Sequence, residues 1–148
     1  MKIYGRNCLY EAIRNKAKLE NIHVLDSAIK KEKNFIELLD KGGYKYKVVN
    51  KVEMQKVFGT KHQGFGAVRD DFKYSDLSIL YNDKKAKRVL ILDSVEDPQN
   101  LGSILRSSDA FGVDAIVIPK NRSVEITEVV ARVSMGAIEY VPIIKVNN

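Results

Sequence analysis

The chain has 148 residues, 45% hydrophobic and 30% charged, with a formal net charge of +6. This composition excludes wholesale disorder, and the single cysteine, Cys8, excludes a disulfide framework or a multi-cysteine zinc site. Residues 1–75 hold 16 Lys+Arg against 9 Asp+Glu while residues 76–148 hold 9 against 10, so the basic surplus belongs to the first half. A basic module joined to a near-neutral one fits a polyanion-binding half and a half with another task. Lysines that only solubilise a small domain are the alternative.

Along the chain, Asn7 is placed to cap a helix running to about Lys16, with Leu9, Ala12 and Ile13 on one face. The run Ile22–Leu25 reads as a strand. Phe35, Leu38 and Leu39 keep helical spacing, and Gly42-Gly43 stop that helix. Tyr44–Val49 alternates and is rich in β-formers. Asn50 followed by Glu53 resembles a capping box and opens a helix to Phe58. Phe65–Val68 is a last strand. Residues 1–70 thus read as a small layered α/β domain.

Residues 71–86 read as a polar linker containing a short helix. The remainder, residues 87–148, is more regular. Arg88–Asp93 is a continuous apolar run, the pattern of a parallel strand buried on both faces. A helix is expected from Asn100 to Phe111, with Leu101, Ile104, Leu105 and Ser108 inside and Gly112 as its stop. Asp114–Ile118 is a second buried strand. Ser123 is placed to cap a helix carrying Ile126, Val129, Val130 and Val133, and Tyr140–Ile144 is a third strand. This βαβαβ order describes half of an open α/β domain whose sites lie at strand C-termini.

The loop and helix after the first of these strands are dense in polar groups: Asp93, Glu96, Asp97, Asn100 and Arg106. They match neither G-x-G-x-x-G nor a P-loop. Asn100 is either a helix cap or a polar group at a helix start that favours anions. Arg106 either pairs with Asp109 or offers its planar fork to a phosphate. Tyr4, Arg6 and Asn7 form a polar-aromatic cluster able to stack on or bond to RNA; the alternative puts Tyr4 in the core and Arg6 in solvent. Lys45 and Lys47 belong to the basic footprint of the first half. His62-Gln63-Gly64 sits in a turn, His23 in an apolar strand, and no metal site has enough ligands to build from. No run approaches the roughly 20 apolar residues of a bilayer span, and no signal peptide is read, so no membrane partner and a cytoplasmic setting are expected.

Together these stretches resemble the SpoU (TrmH-like) family of RNA ribose 2′-O-methyltransferases in the SPOUT superfamily. Ile3-Tyr4-Gly5 before a helix resembles the family's opening, and His62-Gln63-Gly64 the signature that closes its RNA substrate-binding domain. Leu90–Asp93, Asp97-Pro98-Gln99-Asn100-Leu101-Gly102, Arg106–Val113 and Ile118-Pro119 resemble its first motif nearly residue for residue. Ser134-Met135-Gly136-Ala137 and Val141-Pro142 resemble the segment after it. The resemblance covers essentially the whole chain. It implies a small ribosomal-protein-like α/β RNA-binding domain followed by the first half of a SPOUT methyltransferase domain. It implies S-adenosylmethionine as methyl donor, RNA as substrate (most similar to the subgroup acting on a guanosine of large-subunit rRNA), and a homodimer for the complete fold. It places catalytic roles on Asn100 and Arg106, the arginine engaging the substrate phosphate and helping to activate the ribose 2′-hydroxyl. The family's second and third motifs, which form the donor pocket, are not found here. The chain is therefore expected to carry no cofactor-binding residues of its own and to be inactive alone; a non-catalytic RNA-binding module is the alternative reading.

Overall fold

The structure, a computed structural model, describes residues 1–85 and 87–147 and divides into two units, one ending at Asp71 and one beginning at Phe72. Ala86 and Asn148, the last residues of the expected linker and second domain, lie outside the described residues.

In the first unit, short apolar runs separated by glycines and polar turns give β1 (Lys2–Tyr4), α1 (Arg6–Arg14), β2 (Leu19–Leu25), α2 (Asp26–Lys31), α3 (Lys33–Lys41), β3 (Tyr46–Val49), α4 (Lys51–Phe58) and β4 (Phe65–Arg69). The sheet order is β1-β4-β2-β3, with β4 antiparallel to both β1 and β2, and β3 parallel to β2. Alternation in β2 buries Ile22 and Val24, and α1 answers with Cys8, Leu9, Ala12 and Ile13. Phe35 of α3 meets Phe65 of β4 with ring centroids 4.4 Å apart. Asn50 caps α4 as expected by accepting from Glu53 N, but the Glu53 carboxylate turns to Lys47.

Two expectations here are corrected. Asn7 is no cap: the cap position falls two residues earlier, on Gly5, whose φ of 97° few side chains tolerate. And β2 runs directly into α2 where the sequence suggested no helix, because the stretch Asp26–Lys31 is too short to show a full apolar period.

The second unit contains a 3₁₀ turn (Leu77–Leu80), β5 (Val89–Ile91), α5 (Pro98–Ala110), β6 (Ala115–Pro119), α6 (Glu128–Val133), a second 3₁₀ turn (Ala137–Glu139) and β7 (Ile143–Val146). Its sheet is parallel in the order β5-β6-β7, so β6 is central, and Ala115 to Ile118 are all buried. Helices α5 and α6 pack so closely that a Cβ on Gly102 would lie 2.6 Å from Val133 Cβ. The stretch from Phe72 to Leu80 docks on β7: Ser75 N donates to Ile143 O at 2.8 Å. Tyr74 OH donates to Glu125 Oε2 at 2.6 Å and accepts from Ile126 N, while Lys145 pairs with Glu125 and lies over the Tyr74 ring.

Three features differ from the sequence reading. Strand β5, expected to be buried on both faces, is an edge strand, and Ile91 is 74% exposed because its only paired neighbour among the described residues is β6. Ser123 does not cap α6; its hydroxyl donates to Pro119 O, and Thr127 supplies the cap. The third strand starts later than expected, since Ala137–Glu139 coil into a 3₁₀ turn first.

Candidate functional site

The polar loop after β5 ends in a well-formed helix start. Asp97 accepts from Gln99 N at 2.6 Å and Pro98 occupies the first turn, where its missing N–H costs nothing. Asn100 is therefore relieved of capping. It stands on the exposed third position of α5, beside the N–H groups of a helix start. The buried stripe is Leu101, Gly102, Leu105 and Ser108. Arg106 lies off that stripe and is exposed, and no ion pair to Asp109 or any other carboxylate forms among the described residues. Its five donors face solvent in the form that suits a phosphate.

Arg106 follows Asn100 by six positions, which on an α-helix is about 9 Å of rise and about 240° of rotation. The two side chains thus leave α5 on different sides and do not converge on one point. Asn100 shares its side with Ile104, Ser107 and Phe111. Those three, with Leu90 and Val113, line an apolar groove of about 400 Å³ beside β5.

A second cleft, of about 450 Å³, opens at the carboxyl ends of β5, β6 and β7, lined by Asp93, Ser94, Asn121, Arg122 and Asn147 among others. Arg122 did not emerge from the sequence. The available signal was the polar run Lys120–Ser123 directly after a strand.

In the first unit the proposed RNA contacts fall into two groups. Tyr4, Arg6 and Asn7 meet at the β1–α1 turn. Tyr4 is half-buried against the Val49, Met54 and Phe58 cluster, which favours its core role, and Arg6 is exposed but pairs with Glu32 at 2.9 Å. Asn7 is exposed. Lys45 and Lys47 lie three strands away along the sheet, about 14 Å at ordinary strand spacing. Lys45 is exposed; Lys47 binds Glu53 at 2.5 Å, and that bond holds the Glu53 carboxyl below its usual range.

His62-Gln63-Gly64 proves to be a clamp. Gln63 Oε1 accepts Arg6 N at 3.2 Å, and Gly64 O accepts Leu25 N at 2.8 Å, tying the β4 entry to the β1–α1 turn and to the end of β2. Gly64 N donates to His62 Nδ1 at 2.9 Å. Burial, with the Lys51 charge adding to it, holds the imidazole below its ordinary pKa, so the neutral ring accepts on Nδ1. His23 packs its ring edge on Phe58 and bonds Asn21 O. Cys8 is buried in α1. Among the described residues no three His, Cys, Asp or Glu side chains are grouped as a metal site, and no helix is long and apolar enough to cross a membrane.

Comparison with known proteins adds to this geometry. Residues 2–75 match the family described as RNA 2′-O ribose methyltransferase substrate binding, and residues 87–148 match the SpoU rRNA Methylase family. A protein of Staphylococcus saprophyticus named as a TrmH family tRNA/rRNA methyltransferase is 39% identical over 99% of this chain and 61% of its own length. YacO of Bacillus subtilis, named likewise, is 36% identical over the same shares. The chain thus spans about three fifths of the length of these relatives. Two solved structures share the fold. One is an AdoMet-bound rRNA methyltransferase from Sinorhizobium meliloti (TM-score 0.75, 20% identity, 97% of this chain and 53% of that one). The other is AviRb from Streptomyces viridochromogenes with AdoMet (TM-score 0.75, 17% identity, 100% and 54%).

Proposed function

Because the chain belongs to the SpoU methylase family, we propose that it carries the RNA-docking unit and the α5 half of a catalytic unit that methylates a ribose 2′-hydroxyl, with S-adenosylmethionine as donor. The observation that carries this is α5 itself: a helix capped by Asp97 that leaves Asn100 and Arg106 exposed and uncommitted. A 2′-hydroxyl is a weak nucleophile, and its attack builds negative charge on oxygen. A guanidinium fixed beside the adjoining phosphate orients that group and stabilises the charge, an effect worth on the order of 3 kcal/mol. Asn100 offers neutral hydrogen bonds at a helix start.

The residues present do not fit the donor. Its sulfonium is a cation, and the strand-tip cleft sets the Arg122 cation against the single Asp93 carboxylate, so the cleft offers it no net anionic field. No step is therefore assigned to that group in this chain, and the chain alone should bind S-adenosylmethionine more weakly than micromolar. Ribosomal RNA, at a guanosine of the large subunit, is the substrate we favour. Homodimerisation belongs to the same reading, because two copies can supply Asn100 and Arg106 to one site although a single helix sends them apart.

The test is a chimera in which residues 1–148 replace the matched region of YacO. It should transfer labelled methyl from S-adenosylmethionine to ribosomal RNA at a ribose 2′-oxygen. Arg106→Ala in the chimera should cost at least a hundredfold in kcat and leave RNA affinity within about threefold. Mixing Asn100→Ala and Arg106→Ala chimeras should restore part of the activity. Wild-type turnover by the Arg106→Ala chimera would defeat the assignment.

A further inference from the structure

Resting on that reading, we infer that the strand-tip cleft of the second unit binds one ribonucleotide of the RNA, with Arg122 on its phosphate and Asp93 on its ribose hydroxyls. The cleft sits at the carboxyl ends of three parallel strands, where open α/β sheets hold their ligands. Its volume, about 450 Å³, lies within the range of small-ligand pockets. Its polar groups are of complementary kinds. Arg122 supplies a planar cationic fork, and among the described residues no carboxylate pairs with it. Asp93 supplies an acceptor, which at a strand tip suits vicinal sugar hydroxyls. The Ser94 hydroxyl donates to Asp93 Oδ1 at 3.1 Å and so orients that carboxylate, while Asn121 and Asn147 supply neutral donors and acceptors for a base edge.

The cleft is also held open by hydrogen bonds that precede any ligand. Lys120 N donates to Val146 O at 2.8 Å, Val124 N to Val95 O at 3.0 Å and Leu92 N to Val117 O at 2.9 Å. The Ser123 hydroxyl closes the turn onto Pro119 O. Two rim residues, Ser94 and Arg122, hold φ of 58° and 55°, a conformation uncommon outside glycine and asparagine, so their side chains are aimed by the loop rather than by preference. A bare dianion would meet the Asp93 carboxylate. A lone sulfonium would find Asp93 but leave Arg122 without a partner. A nucleotide, anionic at one end and hydroxylated in the middle, has a group for each.

The experiment follows the backbone amides of the 148-residue chain by NMR during titration with r(UUU), d(UUU), inorganic phosphate and S-adenosylmethionine. With r(UUU), the amides of Ser94, Asn121, Arg122 and Asn147 should shift and saturate. Arg122→Gly keeps the backbone conformation and removes the fork; binding at these amides should weaken about tenfold, and Arg122→Lys should recover part of it. The deoxy trimer should bind about tenfold more weakly than r(UUU) to the wild-type cleft, and that difference should vanish in Asp93→Asn. Unmoved amides, equal shifts with phosphate alone, or saturation by S-adenosylmethionine would overturn the inference. Methyl transfer by the YacO chimera with unmoved cleft amides overturns the cleft alone. Moved amides without any transfer overturn the methyltransferase reading and leave the nucleotide site standing.

Discussion

Gly102 is where α5 touches α6, and Gly102→Ala measures how tightly the helix bearing Asn100 and Arg106 is fixed. The added methyl would lie 2.6 Å from Val133 Cβ, 2.8 Å from its Cγ1 and 3.2 Å from Ser134 N. Carbon atoms prefer about 3.5–4.0 Å, so α5 has to recede by about 1 Å. A Cβ cannot rotate away, which places the overpacking cost near the upper end of its usual span, about 3 kcal/mol. Alanine returns about 1 kcal/mol of helix propensity. The net expectation is a loss of about 2 kcal/mol, confined to the second unit. Urea unfolding read from the amides of Ile116 and Val117 on β6 isolates that unit. Ser103→Ala, at the next and exposed position, is the control and should be neutral or slightly stabilising. If Gly102→Ala matches or exceeds wild-type stability, the close helix contact does not constrain α5.

Removing the helix cap with Asp97→Ala should cost about 1 kcal/mol in the same assay, and Asp97→Asn should recover most of it. His62 has a folded pKa below that of the unfolded chain. Its contribution is therefore complete above the unfolded value, near pH 6.5, and is lost as pH falls through the folded value. Thermal scans of the first unit should show this decline on the acid side, and His62→Gln should flatten it; unchanged pH dependence would refute the neutral clamp. Reversing charge at Lys45 and Lys47 together should weaken RNA binding and make the salt dependence shallower; affinity indifferent to both would remove the first unit as docking surface.

The regularity of α5 was legible because its stripe, its stop at Gly112 and its polar entry agree with one another. Its cap was misplaced because Asn100 and Asp97 are both competent and only geometry shows which side chain reaches Gln99 N. The same ambiguity moved the caps of α1 and α6. Strand β5 is a different failure. An unbroken apolar run says that both faces can be buried, but burial needs neighbours, and the sequence of a strand does not state what lies beside it. The clamp at His62–Gly64 was visible as a motif and opaque as a device, because Gln63 acts on Arg6, 57 positions away. Arg122 was missed for a related reason: it is three strand-tip loops together, not any one of them, that make a cleft.

The two borders of the second unit's sheet are unlike. Along β7 the outer side is occupied at Ile143 and Ile144 by Ser75, whereas no described residue pairs with the outer side of β5, next to an Ile91 and a Phe111 that are each about three-quarters exposed. Among the described residues, β5 is therefore the margin more open to further strand pairing. A second copy pairing through β5 would occupy that margin in both molecules at once.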